Sequence, residues 1–528
     1  MSPPQPGHGA FEESLTPLFH DYLYDFARVA RFYPAAAPFD FDRLAARARD
    51  LAWPPDRRAA MAAELARQNP GADAALAEFA RPGAGAILTG QQVGLFGGPL
   101  LAVHKAMTAV VIAQRLRARG TPAVPIFWLA TQDHDLAEVN QAWLLDDAAT
   151  LHPLRAQFDA AAAGQPVGAL PLDASVSELL AQAERCTPGD WSAVRAAYAP
   201  GATLGSAFAG LLRAWFAPWG LLVFDPRQAP AAHALWQPYY LAAFDRQPEL
   251  ATRLAGRATA LTAATYHVQV EQTAAASMLF LEQPEGRLGL RYLEGKWLLG
   301  DSVMDAAGLR QRLAAAPGRV SPAALLRPVL QDAAFPTLAH VVGPAETAYL
   351  AQAAVLYEAL GVRQPVAWPR ARITLLDARA QRLLQKFELS LDDLRATPAA
   401  DLLARRALPE GIAARAAALL QTVRSGFASL TPELATLDPT LLDAARGAAQ
   451  KIEHQLAQLE SRVARALTRR GGELAVQARH LDNFLFPQRQ PQDRVLAAAG
   501  VFARAPQALA ALHAALDPAH PGHQVIPL

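Results

Sequence analysis

The sequence predicts an α/β protein, in which a parallel β-sheet forms an amino-terminal core and a long helical segment follows it. Four short apolar runs each end in polar or glycine-rich residues, followed where readable by a helical pattern. Strand-like apolar runs that alternate with helices are typical of a parallel sheet covered on both faces. The four runs are AILTG (86–90), VPIFWLATQDHD (124–135), GLLVFDP (220–226) and TLAHVVGPAE (337–346).

Length and composition limit the possible classes of protein. At 528 residues the chain has room for about three or four domain-sized units. A formal net charge of +1 gives no long-range field that would attract nucleic acid or an acidic membrane surface, so neither is expected as a partner. Cys186 is the only cysteine, which excludes an intrachain disulfide and fits a reducing compartment. The segment MSPPQPGHGAFEESL lacks the features of a signal peptide, so a cytoplasmic location is expected.

The first run continues into LTGQQVGLFGGPLLAVHK (88–105), which carries no charge before His104. Gln91, Gln92 and the glycines argue against a membrane span, which needs about 20 mostly apolar residues in helical geometry. The stretch predicts a strand, a glycine loop and a helix that begins near Pro99. Because free N–H groups and the positive end of the dipole meet at a helix start, this loop suits an anion.

The rest of the chain predicts an insertion, a helical domain and a tail. TYHVQVEQ, SMLFLEQ, RLGLRYL and KWLLGD are strand-like runs joined by turn signals, which indicate a small antiparallel β insertion at about 228–336. We expect a sheet domain over 1–370 that includes this insertion, a coiled-coil domain over 371–487, and a tail of loop character over 488–528 that docks on the core.

A heptad seam is predicted after the cap pair Asp438-Pro439. The seam can pack against the chain's own preceding helices, mediate dimerisation, or do both. Gly471-Gly472 is expected to bend or break the helix. The seam consists of Leu442, Ala445, Ala449, Ile452, Leu456, Leu459, Val463 and Ala466.

The second run ends in QDHD (132–135), followed by Glu138 and Asn140. Two carboxylates, Asp133 and Asp135, flank the imidazole of His134 and could orient it, raise its pKa and accept protons. The same three residues could also ligate a metal, or simply begin a solvated loop.

Two residues of the first helix are further candidates. His104 lies one turn beyond Leu100 and could be a half-buried structural histidine. Lys105 opposes the helix dipole at a cost of about 0.3–1 kcal/mol, which a bound anion would offset. The loop before them lacks the GxxxxGK[ST] spacing of a P-loop.

Other polar residues would face the same cleft if the sheet assignment holds, although each alone is more often structural. They are Tyr266, His267 and Gln269 on the first strand of the insertion, Arg327, Gln331 and Asp332 in RPVLQD, and Gly343 to Glu346 in GPAE.

Five motifs resemble the BshC family, and the resemblance runs from the amino-terminal region to the tail. The first two motifs are long and specific. The five are TGQQVGLFGGPL-x₃-HK (89–105), PIFWLAT-x-DHD-x₂-EVN (125–140), LLRPVLQD-x₃-PT (325–337), VGP-x-E-x-AY (342–349) and the late LFPQRQPQDR (485–494).

The resemblance implies a Rossmann-like core related to class I nucleotidyltransferases, connective-peptide insertions, and a carboxyl-terminal coiled coil through which two subunits associate. It also implies a ligase that forms a carbon–nitrogen amide bond, joining L-cysteine to glucosaminyl malate in the last step of bacillithiol biosynthesis. The family usually has Glu where this chain has Gln132. That departure leaves Asp133, His134 and Asp135 as the candidates there.

Because joining an amine to a carboxylate in water is unfavourable, we expect activation of the cysteine carboxylate by ATP or another nucleotide, with no metal. The 89–98 loop would bind a phosphate or the malyl carboxylates, and His104 and Lys105 would stabilise developing charge. Asp133 or His134 would accept the amine proton, and Arg327 would hold a carboxylate.

The expected contacts are numerous, and two rival functions remain open. The first rival is a non-catalytic scaffold that binds a nucleotide or thiol metabolite and acts through its coiled coil; the second is a metal-dependent hydrolase centred on Asp133-His134-Asp135.

The expected nucleotide contacts are Gly94, Gly343, Asn483 and Arg494. The expected substrate contacts are Thr89, Gln91, Gln92, Gly97, Gly98, Asn140, Tyr266, His267, Arg327, Gln331, Asp332 and Glu346.

Overall fold

The computed structural model divides the chain into two compact units. The first, called the sheet unit, comprises the described residues of 1–144, 152–375 and 493–528; the second, the helical unit, comprises those of 145–151 and 376–492. The structure describes residues 15–273, 275–406, 410–438, 440–470 and 472–528.

The strands are, in chain order, β1 (Gly85–Gln91), β2 (Ala123–Leu129), β3 (Gln141–Leu145), β4 (Leu151–Arg155), β5 (Leu222–Phe224), β6 (Ala276–Gln283), β7 (Gly286–Leu293), β8 (Lys296–Leu299), β9 (Ser302–Met304), β10 (Val320–Pro322), β11 (Thr337–Val342), β12 (Val366–Pro369), β13 (Arg372–Leu376) and β14 (His523–Pro527).

The α-helices are α1 (Pro17–Tyr24), α2 (Phe26–Val29), α3 (Phe41–Arg49), α4 (Pro55–Gln68), α5 (Asp73–Ala80), α6 (Leu101–Ala118), α7 (Leu136–Val139), α8 (Ser175–Cys186), α9 (Ser192–Ala197), α10 (Leu204–Phe216), α11 (Pro230–Asp245), α12 (Gln247–Ala263), α13 (Ala306–Ala315), α14 (Arg327–Ala334), α15 (Pro344–Leu360), α16 (Ala378–Lys386), α17 (Leu391–Ala396), α18 (Ala399–Arg406), α19 (Glu410–Leu437), α20 (Leu441–Arg470), α21 (Gly472–His480), α22 (Gln492–Val495), α23 (Ala498–Arg504) and α24 (Ala508–Ala515).

A five-stranded parallel sheet forms the core of the sheet unit, which confirms the predicted fold class. Its strand order is β12-β11-β1-β2-β5, and each neighbouring pair is parallel. The chain passes from β1 outward through β2 to β5, then returns to the other side of β1 for β11 and β12. The strand order therefore reverses between β1 and β11, which is where open α/β sheets bind ligands.

Both faces of this sheet are buried, as near-continuous apolar strands require. Every residue of β2 is buried. Successive residues of β1 point to opposite faces: Leu88 packs in one apolar cluster with Ile126, whereas Ile87 packs in another with Val341. The alternation fixes which side chains at the strand ends can reach the carboxyl edge.

The predicted insertion contains an antiparallel sheet with the order β10-β6-β7-β8-β9. Three predicted strands are present as β6, β7 and β8, but the range 228–336 also holds helices α11 to α14. The prediction of a strand at TYHVQVEQ is wrong. Thr265 adopts φ 64° after α12, and Gln352 bonds both the N–H and the carbonyl oxygen of Val270, so no neighbouring strand is needed.

The start of α6 and the tail also differ from the predictions. The helix begins at Leu101, and Pro99 instead forms a β-bridge with Ala497. The tail is not a loop, because residues 492–527 form α22, α23, α24 and β14, and β14 pairs with β13. Residues 493–528 belong to the sheet unit.

The helical unit contains α16 to α21. Helix α20 carries the predicted seam and packs against α19, where Arg424 Nε donates to Glu453 Oε1 at 3.0 Å. Along the seam, Ile452 is 41% exposed and Leu459 is 57% exposed. Pro439 and Gly471, on which the predicted cap and bend partly depend, lie outside the described residues. Among the described helices, none is both long and apolar enough to cross a bilayer.

We expect Leu88→Ala to lower the free energy of unfolding of the sheet unit by about 2–5 kcal/mol, because it empties a fully buried position. The matched Leu293→Ala removes a side chain that is 46% exposed and should cost less than about 1 kcal/mol. Urea unfolding followed by tryptophan fluorescence measures both, since all nine tryptophans lie in this unit. Equal losses for the two variants would contradict the assigned core.

Candidate active site

A cleft of about 460 Å³ lies at the carboxyl edge of the parallel sheet. Four strand ends line it, through Gly90 and Gln91 of β1, Ala130 after β2, Val342 of β11 and Arg370 after β12. These strands flank the reversal of strand order, where such sheets bind ligands. The segments that follow the first, second and fourth predicted runs therefore meet at one hollow.

Lys105 on α6 places its ammonium group on the cleft wall, with 4% of the side chain exposed. Nζ donates to the Gly90 carbonyl oxygen (2.9 Å) and to Gln91 Oε1 (3.0 Å). Glu346 Oε2 lies 2.5 Å from Nζ and also accepts the Gly343 N–H at 2.7 Å. Burial lowers the pKa of Lys105, while Glu346 acts to raise it. Three neighbouring groups thus fix the position of this charge.

Asp133 and Arg327 form a second ion pair in the cleft. Both terminal nitrogens of Arg327 donate to the carboxylate, with Nη1 at 3.1 Å from Oδ2. Arg287 adds a further positive charge 4.0 Å from Asp133 Oδ1. Because both of its carboxylate oxygens accept hydrogen bonds from Arg327, Asp133 is already engaged within the protein. The bidentate contact that we expected between Arg327 and a substrate is made here to Asp133.

His134 and Asp135 do not line the cleft. His134 is exposed, and its Nδ1 accepts a hydrogen bond from Arg287 Nη1 at 3.3 Å. Asp135 is exposed and caps α7 by accepting the Ala137 N–H at 3.1 Å. Of the predicted triplet, only Asp133 reaches the cleft.

His104 is fully buried and also lies outside the cleft. Its Nδ1 is 3.6 Å from Asp493 Oδ2, which forms an ion pair with Arg370 Nη1 at 2.6 Å. Burial lowers the pKa of His104, so the imidazole is neutral. Burial alone would raise the pKa of Asp493, but Arg370 and His104 reverse this and hold it well below its ordinary value. His104 therefore supports Asp493, which anchors the guanidinium of Arg370 beside the cleft.

The glycine loop does not form an anion cradle. Phe96, Gly97 and Gly98 all have positive φ, and a Cβ on Gly97 would lie 2.7 Å from the ring of Trp215. A Cβ on Gly94 would lie 2.7 Å from the Cα of Gly98. These glycines serve close packing, and the loop reaches the cleft only through Gln91 and Gln92 at its start.

Several other predicted contacts have structural partners away from the cleft lining. Thr89 Oγ1 donates to the Val341 carbonyl oxygen, and Tyr266 OH donates to Asp21 Oδ2. Asn483 belongs to the helical unit, where it donates to the Ala149 carbonyl oxygen. Asn140, His267 and Asp332 likewise do not line the cleft. The predicted residues that do line it are Gln91, Gln92, Lys105, Asp133, Gln269, Arg327, Gln331, Gly343, Glu346 and Arg494.

Glu138, noted in the sequence near Asn140, lines the cleft, whereas sequence reasoning missed three cleft residues of chemical interest: His340, Tyr349 and Arg370. His340 stands two residues before Val342 on β11, so the period of two places both on one side of the strand. The run TLAHVVGPAE could therefore have predicted that His340 lies on the same side of the strand as Val342, toward the cleft. Arg370 had none, because it follows β12, a strand too short to stand out in the sequence.

The cleft carries four cations, Lys105, Arg327, Arg370 and Arg494, of which the first three form ion pairs within the protein. Arg494 is exposed and makes no ion pair with any described residue. Such a site suits a ligand that brings its own negative charge. Within the described ranges, no three His, Cys, Asp or Glu side chains are grouped so that they could hold a metal ion.

We expect Asp493→Asn to lower the free energy of unfolding of the sheet unit by about 3–5 kcal/mol at pH 7, because Arg370 loses its buried partner. The folded-state pKa of Asp493 is depressed, so its contribution is present above the unfolded pKa of about 4 and is lost as pH falls. Urea unfolding at pH 7 and pH 3 should show the wild-type advantage shrinking. The fully exposed Asp301→Asn is the control, and a deficit unchanged between the two pH values would contradict the assignment.

Comparison with known proteins identifies the family. Residues 9–371 match the model "Bacillithiol biosynthesis BshC, N-terminal Rossmann-like domain", and residues 373–528 match "Bacillithiol biosynthesis BshC, C-terminal coiled-coil domain". Relatives from Solibacter usitatus, Koribacter versatilis and Salinibacter ruber are 38%, 36% and 31% identical, covering 91%, 93% and 92% of this chain and 91%, 93% and 91% of theirs. Each is named "Putative cysteine ligase BshC", in agreement with the expected enzyme class. With both domain models matched and such relatives along its length, the chain belongs to the BshC family of bacillithiol biosynthesis.

Proposed function

We propose that this chain joins L-cysteine to glucosaminyl malate through an amide bond, after a nucleotide has activated the cysteine carboxylate. Its relatives are named as cysteine ligases. The observation that carries the proposal further is the fixed ammonium group of Lys105 at the sheet edge, in a cleft that Arg494 also lines. Carboxylates and phosphates, the groups that this reaction brings together, are the ligands that such cations bind.

The nucleotide supplies the activation, since transfer of an adenylyl group to the carboxylate releases pyrophosphate and leaves an acyl carbon that an amine can attack. In that attack the C–N bond forms, AMP leaves with the bonding electron pair, and the amine loses a proton. The protein has to hold three reactants in line, and positioning alone can remove about 7–11 kcal/mol of barrier.

The residues of the cleft fit these anionic groups unequally. Lys105 is preorganised by Gly90, Gln91 and Glu346, so it can stabilise charge that develops on the acyl or phosphoryl oxygens without rearranging. Arg494 is exposed and free of ion pairs with described residues, which fits binding of the malyl carboxylates. The packed glycines of the 89–98 loop do not fit a phosphate, so we assign none to them.

We expect Lys105→Met to reduce the rate of product formation by about 10²–10³-fold in folded protein, because it removes a preorganised positive charge. Lys296→Met, which removes an exposed lysine of β8, is the matched control and should retain the wild-type rate. Mass spectrometry of reactions with ATP, cysteine and glucosaminyl malate measures product, AMP and ADP together.

The same reactions separate the rival functions. Binding of the substrates without AMP or product would favour the scaffold. Activity that is lost on chelation, together with a metal in the purified protein, would favour the hydrolase. Equal rates for the two lysine variants would remove Lys105 from the mechanism.

We also propose that two copies of this chain associate through the seam of α20. Ile452 and Leu459 on this seam are 41% and 57% exposed although both are large and apolar. A second copy of the helix would cover them, as facing positions do in a coiled coil. We therefore expect a homodimer.

Replacing both Ile452 and Leu459 by Arg should shift the protein from dimer to monomer, since like charges would then meet at the seam. Gln450→Arg combined with Gln458→Arg, at exposed positions off the seam, is the matched control and should leave the dimer intact. Sedimentation velocity measures the species present. A dimer that survives the seam substitutions would contradict this interface.

A further inference from the structure

His340 is the imidazole that lines the cleft, and nothing described so far uses it. It lies on β11, one of the two strands that flank the reversal of strand order. The residue is 6% exposed, so most of its ring is withdrawn from solvent. Both carboxylate oxygens of Asp133 accept hydrogen bonds from Arg327, and His134 lies outside the cleft, so neither of the expected proton acceptors is free in the cleft. The ligation step releases a proton, and no residue of the cleft has yet been assigned to accept it.

Two buried atoms beside His340 lack partners. The Nδ1 atom of His340 and the Oδ1 atom of Asp332 are both buried without a hydrogen bond to any described residue. Nδ1 lies 4.0 Å from the other carboxylate oxygen, Oδ2. Leaving each such atom unpaired costs about 1–3 kcal/mol. A shift of about 1 Å would bring the two groups within hydrogen-bond distance.

A tyrosine holds the carboxyl group of Asp332 in place. Tyr357 OH on α15 donates to Asp332 Oδ2, and the side chain is 1% exposed. Burial and, to a smaller extent, the charge of Lys105 lower the pKa of His340 to about 3, so the ring is neutral before the reaction and its basicity depends on the charge of Asp332. Arg47 lowers the pKa of Asp332. Burial outweighs this effect and raises the pKa of Asp332 to about 7.

We propose that His340 is the proton acceptor of the ligation step, and that Asp332 and Tyr357 position it. This inference rests on the proposed function. With Nδ1 turned toward Asp332, Nε2 is the ring nitrogen left for the substrate. As the amine nitrogen bonds to the activated acyl carbon, its proton passes to Nε2 while the leaving group departs with its electron pair. The ionised carboxylate of Asp332 stabilises the imidazolium that forms.

The arrangement determines whether the reaction rate rises or falls with pH. When Asp332 is ionised, it can accept Nδ1–H, and Nε2 is then free to accept a proton. When Asp332 is protonated, it donates to Nδ1, so Nε2 carries hydrogen and cannot act as a base. The rate should therefore fall as pH falls through about 7.

The first test compares His340→Gln with His20→Gln, a half-exposed histidine that does not line the cleft. We expect a fall in kcat of about 10²–10⁴-fold for the first variant, with KM for each substrate changed only a few-fold, and wild-type constants for the second. His340→Ala should regain part of its rate when imidazole is added. Because rescue requires a folded cleft, this second variant keeps the test valid if the first is unstable.

The second test follows pH. Asp332→Asn should remove the loss of rate below about pH 7, and Tyr357→Phe should move it to higher pH, since the tyrosine lowers the pKa of Asp332. Titration of the substrate amine affects all variants equally. Differences between their pH–rate profiles therefore reflect groups of the protein. A purely structural role would change the rate without moving these profiles.

The outcomes separate the two levels of the proposal. Wild-type protein that forms no product overturns the proposed function and this inference together. Wild-type protein that forms product, with His340→Gln at the wild-type rate or with unmoved pH profiles in the Asp332 and Tyr357 variants, overturns only the role of His340. Slow, imidazole-rescued turnover with displaced profiles supports it.

Discussion

The ion pair between Lys105 and Glu346 links the two halves of the parallel sheet at the point where the strand order reverses. Lys105 comes from the helix after β1, and Glu346 from the helix after β11, the neighbouring strand. The same ammonium group bonds the end of β1, and the same carboxylate bonds the start of its own helix. Breaking a buried pair of this kind typically costs about 3–5 kcal/mol, because one charge is left without a partner. The positions of the cleft-lining groups depend on it.

The cleft balances its charge internally. Lys105, Arg327 and Arg370 each have a carboxylate partner supplied by a different segment of the chain. Since the partners already hold these side chains, little conformational entropy is lost when a substrate binds. A ligand that carries carboxylate or phosphate groups gains from the remaining cation, Arg494, and from the exposed side of the others. The arrangement favours positioning of anionic reactants over covalent catalysis by the protein.

Much of the fold could be predicted because burial leaves a clear mark on the sequence. Near-continuous apolar runs identified four of the five parallel strands, and the rule that ligands bind at their carboxyl ends located the cleft. The packing role of the glycine loop could not be predicted, because close packing and anion binding select the same residue. In sequence, Gly97 against Trp215 cannot be told from a glycine that approaches a phosphate.

The remaining failures concern partners that are distant along the chain. The role proposed for His340 depends on Asp332 of α14, and Arg370 is held by Asp493 of the tail. Only the folded chain brings these residues together. The failed strand at TYHVQVEQ has a similar cause, because Gln352 of α15 satisfies the backbone that a neighbouring strand would otherwise bond. Local pattern carries no information about such contacts.

We place the reaction in the cleft at the carboxyl edge of the parallel sheet. A crystal structure of the whole protein with a stable analogue of cysteinyl adenylate, in which a sulfamoyl group replaces the phosphate, tests this claim most directly. We expect the analogue in that cleft, with its acyl and sulfamoyl oxygens near Lys105. An analogue bound instead in the separate cavity of about 290 Å³ lined by Ala251, Leu254 and Met278, or elsewhere, would contradict it.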